Sequence, residues 1–530
     1  MMERTQYFWR SVCLFLAIMM IGAAVSVVAA EKQIKIKVAQ YAKDLEFNCP
    51  QGAAWELGGQ NGRIQPGEKC VLTGTMTAKA IRRFRVMVSS TSLAETETIR
   101  ADEEKWRQLG FPVRIMVVGQ EFFAEDGKTL LYDNRLAMVE VGVFNDKASA
   151  QAMVDKLSAQ GQSSWIYEEI VQLAQGTLSF SINGTFKATG KEFALLPQQT
   201  IHMKKVEYGA GYSWHGYADR DYSGSLLVRY GANDAIDCIL TTAFENVLAG
   251  VVPSEISAKA EIGALQAQAV AARGEIMAKI GVRHASEGFD TCSEQHCQVF
   301  NGDTTYSIDV GRKIAPTAGY VLMGQNGHIL DAVYSANCGG HSESSHYVWT
   351  TQPNPALTGK WDNSGTPALD LSEEEQVGVF IRNPPAGCHC NNPTVEGGNR
   401  FRWNKPMPAA DWKKVEESLA IGRVKTVKDI ARGVSGRIYR LTFVGERGEK
   451  TVMKELNIRR LLGGLASACF VADWKRDAAG YIVSAELLGA GFGHGVGMCQ
   501  TGAQSLAKQG WNYQRILSHY FTGSQLKKMY

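Results

Sequence analysis

Hydrophobic and polar positions change their period several times along the chain. From Gln33, "IKIKVAQY" alternates with period two and runs into Gly-rich turns up to about Thr75, which predicts the short strands of a small β module over residues 31–80. Two stretches that resemble each other follow, "FRVMVSSTSLAETETIRADEEKWRQLGFPVRIMVV" and "AMVEVGVFNDKASAQAMVDKLSAQGQSSWIYEE". Each reads as an alternating strand, a polar turn, a helix-period segment closed by Gly and a second strand, so residues 81–175 form two βαβ halves of a ferredoxin-like split sheet. "LSFSINGTF" and "YSGSLLVRYGAND" add further β structure. The period then lengthens. "EIGALQAQAVAARGEIMAKI", Glu261 to Ile280, has apolar residues at 262, 265, 269, 272, 276 and 280, predicting a helix that buries one face. Its alanines admit a close neighbour and Gly281 is placed to end it. Between Trp349 and Arg423, "GKWDN", "SEEE" and "WNKPMPAADWKK" suggest a mostly surface insertion, and "ARGVSGRIYRLTFVGERGEKTVMKELNIRRLLG" reads as a hairpin turning at "GERGE" before a helix. The whole is an α+β chain.

At 530 residues the chain holds two or three domains, since single cores rarely pass roughly 250 to 300 residues. A net charge of +3 makes no electrostatic case for a nucleic-acid partner. A phosphate-binding loop, a serine-hydrolase elbow and an HExxH motif are all missing from the sequence. The first residues behave differently from the rest: Arg4 and Arg10 precede an apolar run from Val12 to Val28 that ends in Ala29 and Ala30. That is the order of an export signal over residues 1–30, either cleaved or kept as a membrane anchor, and both outcomes place the rest outside the cytoplasm.

Ten cysteines follow the signal, and in an exported chain they can form disulfides. Cys49 and Cys70 flank a Gly-rich stretch and are the first candidates for a pair, whereas Cys388 and Cys390 are too close to bond each other comfortably. "TCSEQHCQVF" places Cys292, His296 and Cys297 in one short polar stretch, three of the four ligands that tetrahedral zinc takes. A disulfide from Cys292 with a solvated His296 is the other reading.

"GVVPSEISAKAE" precedes the Ala-rich helix, with Glu255 on the turn into it. A half-buried carboxyl there holds its proton near neutral pH and can act as a general acid, or it simply favours the helix N-terminus.

Four blocks between Val247 and Gly523 carry a family resemblance: "VLAGVVPSEI" with "ALQAQAVAAR", "TCSEQHCQVFNG", "AVYSANCGGHSESSHYVW" and "GFGHGVGMCQTGAQSLAKQGWNYQRILSHYFTG". In this order they resemble the SpoIID/LytB family of bacterial cell-wall proteins, which implies a SpoIID-type catalytic domain over residues 176–530. The sporulation branch implies lytic transglycosylase activity on peptide-free peptidoglycan strands, with Glu255 as the catalytic acid. The LytB branch implies a glycan-binding partner of a cell-wall amidase. The resemblance also implies a structural zinc on Cys292, His296 and Cys297, with His284 as fourth ligand. Ser335 and Glu343 match the family's S-x-x-S-G-G-x-T-E block, while Cys338 and Ser342 replace its Ser and Thr. His341 of that block, with His494 and Gln500 of the Gly-rich "GFGHGVGMCQ", is a candidate sugar contact; Glu343 reads equally as a charged loop residue, and His494 as a satisfied histidine in a turn. Finally, "VEVGVFNDKASAQAMVDKLSAQG" resembles the SPOR domain, which binds peptidoglycan strands stripped of their peptides; a generic βαβ domain is the alternative.

Overall fold

A computed structural model describes residues 32–123, 128–211, 214–349, 352–365 and 369–530. The expected export signal lies outside the described residues. Among those described, no helix is long and apolar enough to cross a membrane.

Two large sheets, of seven and six strands, are woven jointly from residues 33–78 and 175–243, with the short strand Thr291–Cys292 added at one edge of the larger. Strand Gln33–Tyr41 buries Ile34, Ile36 and Val38 on alternate positions and pairs antiparallel with Ile236–Ala243. Cys70–Ala78 pairs in the same way with Gln175–Ile182. The stretch 31–80 is therefore not a module of its own. A few short strands cannot bury a face alone, and here the complementary faces come from residues far along the chain. Phe47, Phe180 and Phe193 meet between the sheets with ring centroids 4.8–6.3 Å apart. Cys49 and Cys70 are buried there as free thiols, not bonded as the sequence suggested.

Residues 81–172 leave this unit between two paired strands and form their own four-stranded sheet. Its order is Trp165–Gln172, Ile81–Ser92, Leu136–Phe144, Arg114–Val118, all antiparallel, which is ferredoxin-like. Helices Thr96–Gln108 and Lys147–Ala159 cover one face, burying Trp106, Ala150 and Leu157 against Val86, Val139 and Val141. An extra hairpin, Glu121–Phe123 with Leu130–Asp133, sends Phe122 and Tyr132 into the main core.

The Ala-rich helix spans Ile262–Lys279 and is buried almost all round, not on one face. Alanine hardly marks a stripe but lets neighbours approach on every side; helices Phe244–Glu255, Thr305–Ile314, Gln500–Lys508 and Tyr513–Tyr520 all pack on it. Asn134 closes its C-terminus, donating to the carbonyl of Ile280 at 2.8 Å and reaching those of Met277 and Ala278 at 3.3 Å. The ferredoxin-like domain is thus tied to the central helix.

The insertion is more than surface. Residues 402–490 build two three-stranded sheets around a core of their own in which Trp412 is 1% exposed. The expected hairpin is there, Ile438–Gly445 against Gly448–Met453, followed by helix Glu455–Leu461.

Candidate active site

Glu255 is the last residue of helix Phe244–Glu255, with Pro253 inside that helix, and so does not stand on the turn into the next one. A carboxylate at a helix C-terminus faces the negative end of the dipole, the reverse of the stabilising N-terminal placement. Glu255 is partly exposed yet densely surrounded by protein. Burial first, then the like charge of Glu275, raises its pKa from the ordinary 4.5 to about 7. Hydrogen bonds from Gln500, the backbone N–H of Val299 and the hydroxyl of Tyr334 hold the rise in check. Glu275 is itself tied down, by Lys279 Nζ at 2.6 Å and Gln298 Nε2 at 2.9 Å. Glu255 is thus placed to hold a proton near neutral pH.

Three separate segments deliver these partners. A short parallel bridge joins Tyr334–Ser335 to Met498–Cys499, which sets Tyr334 and Gln500 beside one another. Gln500 opens helix Gln500–Lys508, and its Nε2 donates to Gln268 Oε1 of the Ala-rich helix at 3.3 Å. Val299 arrives on the cysteine loop, where Asn301 Nδ2 also donates to Ser254 Oγ at 3.0 Å.

Of the expected sugar contacts, Gln500 stands next to Glu255. Ser335 does not. Successive strand residues face opposite sides, so with Tyr334 turned to Glu255 the serine faces away, beside Gly493, and its Oγ has no partner among the described residues. His494 accepts the N–H of Val496 on Nδ1 at 3.0 Å and also hydrogen-bonds the backbone of Tyr334. Burial, with Arg437 and Arg459, pushes its pKa down to about 3, so it is a neutral strut across the Gly-rich turn. Gly491, Gly493, Gly495 and Gly497 all have positive φ, and a Cβ at Gly495 would stand 2.3 Å from the Arg437 guanidinium.

His341 and Glu343 belong elsewhere, in a sealed network under the insertion. Glu343 is 1% exposed; it accepts from Ser435 Oγ at 2.6 Å and from the N–H of Ser344 at 2.8 Å. His341 is 8% exposed, packs edge-on against Trp361 at 4.8 Å, and burial drives its pKa down to about 4. Their enclosure gives both a packing role, not that of a loop residue or a substrate contact. Nothing in the local sequence marked this, because the covering residues come from the 360s and 430s.

His284, Cys292, His296 and Cys297 converge, all four ligand atoms lying within 4.8 Å of one another. His284 Nε2 is 3.3 Å from Cys297 Sγ, and His296 Nδ1 is 3.6 Å from Cys297 Sγ and 3.9 Å from Cys292 Sγ. Glu287 holds His284 Nδ1 at 2.6 Å and so presents the other ring nitrogen to the cluster. Donor chemistry, spacing and outer-shell carboxylate fit a tetrahedral zinc with no open position. An ion there would brace the loop that carries Val299 two residues after Cys297.

An open cleft of about 500 Å³ runs along this loop. Tyr208, Trp214 and Arg220 line one side; Glu294, Val299 and Asn301 line the other. Through Val299 and Asn301 its wall reaches Glu255 and Ser254.

Comparison with known proteins agrees with this core. Residues 232–323, which hold Glu255, the Ala-rich helix and the cysteine loop, match the family model for the stage II sporulation protein, SpoIID. The chain is 27% identical over 300 residues to the amidase enhancer of Bacillus subtilis (strain 168), and 26% identical over 323 residues to stage II sporulation protein D of the same organism. Residues 232–323 thus carry a SpoIID-type segment, and the chain is similar to both branches of the SpoIID/LytB family. The amidase-enhancer match covers 53% of this chain and 40% of that protein; the sporulation-protein match covers 57% and 79%. Residues 343–497 match a domain of unknown function, DUF8618, so the SpoIID/LytB core here carries a second recognised segment.

Proposed function

We propose that the chain is an exported peptidoglycan lytic transglycosylase that cuts MurNAc–GlcNAc bonds of peptide-free strands. The observation that carries this reading is Glu255, a carboxyl with its pKa raised to about 7 beside a cleft. An ordinary glycosidase needs two carboxyls, one to protonate the leaving oxygen and one to activate water or attack carbon. Here the neighbouring Glu275 is engaged in an ion pair with Lys279, which suits a reaction with one. Glu255 gives its proton to the glycosidic oxygen as that bond breaks; the resulting carboxylate then takes the proton of the muramic acid's C6 hydroxyl as that oxygen bonds to the anomeric carbon. No water is consumed. Trp214, 55% exposed on the cleft wall, offers a face for sugar stacking. The zinc site on His284, Cys292, His296 and Cys297 acts as a brace. The ferredoxin-like domain, as a SPOR-like glycan binder, brings the chain to the same polymer.

The test is to incubate the protein with glycan strands freed of peptides and to examine the products by mass spectrometry. Anhydro-muramyl ends are expected; glycan binding without any such ends would overturn the reading. A second reading, a non-catalytic glycan binder that enhances a cell-wall amidase, is favoured by the amidase-enhancer relative. It is distinguished by stimulation of an added amidase in that same no-product outcome.

Tyr334 supplies a pH test. Its hydroxyl stabilises the Glu255 carboxylate, so Tyr334→Phe raises the pKa of Glu255 further. A general acid works while protonated, so kcat/KM falls as pH rises through that pKa. The alkaline limb, expected near 7, moves up by about 1 pH unit in the variant. An unchanged limb would show that Glu255 is not the titrating acid.

A further inference from the structure

We infer that the chain holds a second metal ion, a structural zinc bound by Cys338, Cys390, Cys499 and Asp362, which staples the insertion to the core. All four are buried, and their ligand atoms lie within 4.8 Å of one another. Cys338 Sγ is 3.6 Å from Cys390 Sγ and 3.3 Å from Asp362 Oδ2. With Zn–S near 2.3 Å and Zn–O near 2.0–2.2 Å, the edges of a zinc tetrahedron are about 3.8 Å for S···S and about 3.5 Å for S···O. The observed separations are close to those edges.

The outer shell is also built for an ion. Cys499 stands at the N-cap of helix Gln500–Lys508, where its Sγ accepts the N–H of Cys338 at 3.2 Å and of Gly502 at 3.4 Å, the kind of support a metal-bound thiolate takes. Asp362 Oδ1 accepts from Tyr520 Oη at 3.0 Å and contacts His519 Nε2 at 3.1 Å, which leaves Oδ2 pointing at the sulfurs. Gly502 has no room for a side chain: a Cβ would stand 2.1 Å from the Tyr520 hydroxyl and 2.5 Å from Asp362 Oδ2.

A disulfide between Cys338 and Cys390 is the competing chemistry, since the export signal implies an oxidising compartment. It would leave Cys499 an odd buried thiol and Asp362 Oδ2 without its donor. A divalent ion uses all four groups, displacing the three thiol protons to solvent while the carboxylate enters ionised. Cys338 follows strand Tyr334–Ser335 by three residues and Cys499 ends strand Met498–Cys499, so the two flank the segment 343–497, whereas Asp362 and Cys390 come from within it. The ion therefore closes the base of the insertion, one residue from Gln500.

Metal content tests this independently of any glycan cleavage. Protein purified without chelator is expected to carry about two zinc ions per chain, Cys292→Ser and Cys390→Ser each about one. A Cys390→Ser variant with undiminished zinc would overturn the assignment, as would a wild-type mass that rises by two hydrogens on reduction with Cys338 and Cys390 in one linked peptide. Alkylation of the wild-type protein needs no variant: Cys338, Cys390 and Cys499 should be protected until a chelator is added, while Cys238, fully buried in the sandwich, stays protected throughout. Identical labelling of the three with and without chelator would also overturn it.

Discussion

Glu255→Gln is expected to lower the rate of glycan cleavage by about 10²–10⁴-fold while leaving glycan binding in place. Glutamine keeps the shape and can still meet Gln500, Val299 and Tyr334, but it has no proton to give. The same substitution should make the protein more stable. The folded-state pKa of about 7 exceeds the ordinary 4.5, so between those values the folded chain binds more protons than the unfolded one. Stability is fully present below about 4.5, falls as pH rises through this window, and at pH 8 carries the whole penalty. The variant is spared it and should gain about 1–3 kcal/mol at that pH, and nothing near pH 4. A variant that is inactive but also less stable at pH 8 would point to a packing role for Glu255.

Removal of Glu245 should produce the largest loss of stability. This residue lies in the first turn of the helix that Glu255 ends. Its carboxylate holds the fully buried Arg273 by two bonds, 2.9 Å to Nε and 2.6 Å to Nη2, and accepts Tyr530 Oη at 2.7 Å. Glu245→Ala leaves a buried guanidinium without its counter-charge, and about 3–5 kcal/mol should be lost in urea unfolding. Replacing both partners with apolar residues of similar volume should cost much less, because no charge is then stranded. Equal losses in the single and double variants would show that Arg273 acts through its shape alone.

Parts of this arrangement were legible in the sequence because they are local. Period-two alternation marked Gln33–Tyr41, the repeated strand–helix–strand pattern marked the ferredoxin-like sheet, and the close spacing of Cys292, His296 and Cys297 marked their convergence. What was not legible depends on distant partners. Pairing of Gln33–Tyr41 with Ile236–Ala243 is invisible to a local period, so one sandwich reads as a module followed by a domain. Alanine contributes little to a hydrophobic stripe, so a helix enclosed on all sides reads as one with a single buried face. Tyr334 and Ser335 differ by one position, and only the register with Met498–Cys499 decides which faces Glu255. Cys338 appeared as a replacement for serine, yet its meaning depends on Cys390, Cys499 and Asp362 arriving from three other segments.

The measurement closest to the chemistry is a titration of the Glu255 carboxyl itself, read as the infrared difference between the wild-type protein and Glu255→Gln across pH. A protonated-carboxyl band that disappears with a midpoint near 7 is the expected result. A midpoint near the ordinary 4.5 would contradict a proton-holding Glu255, and with it single-carboxyl cleavage of the glycan.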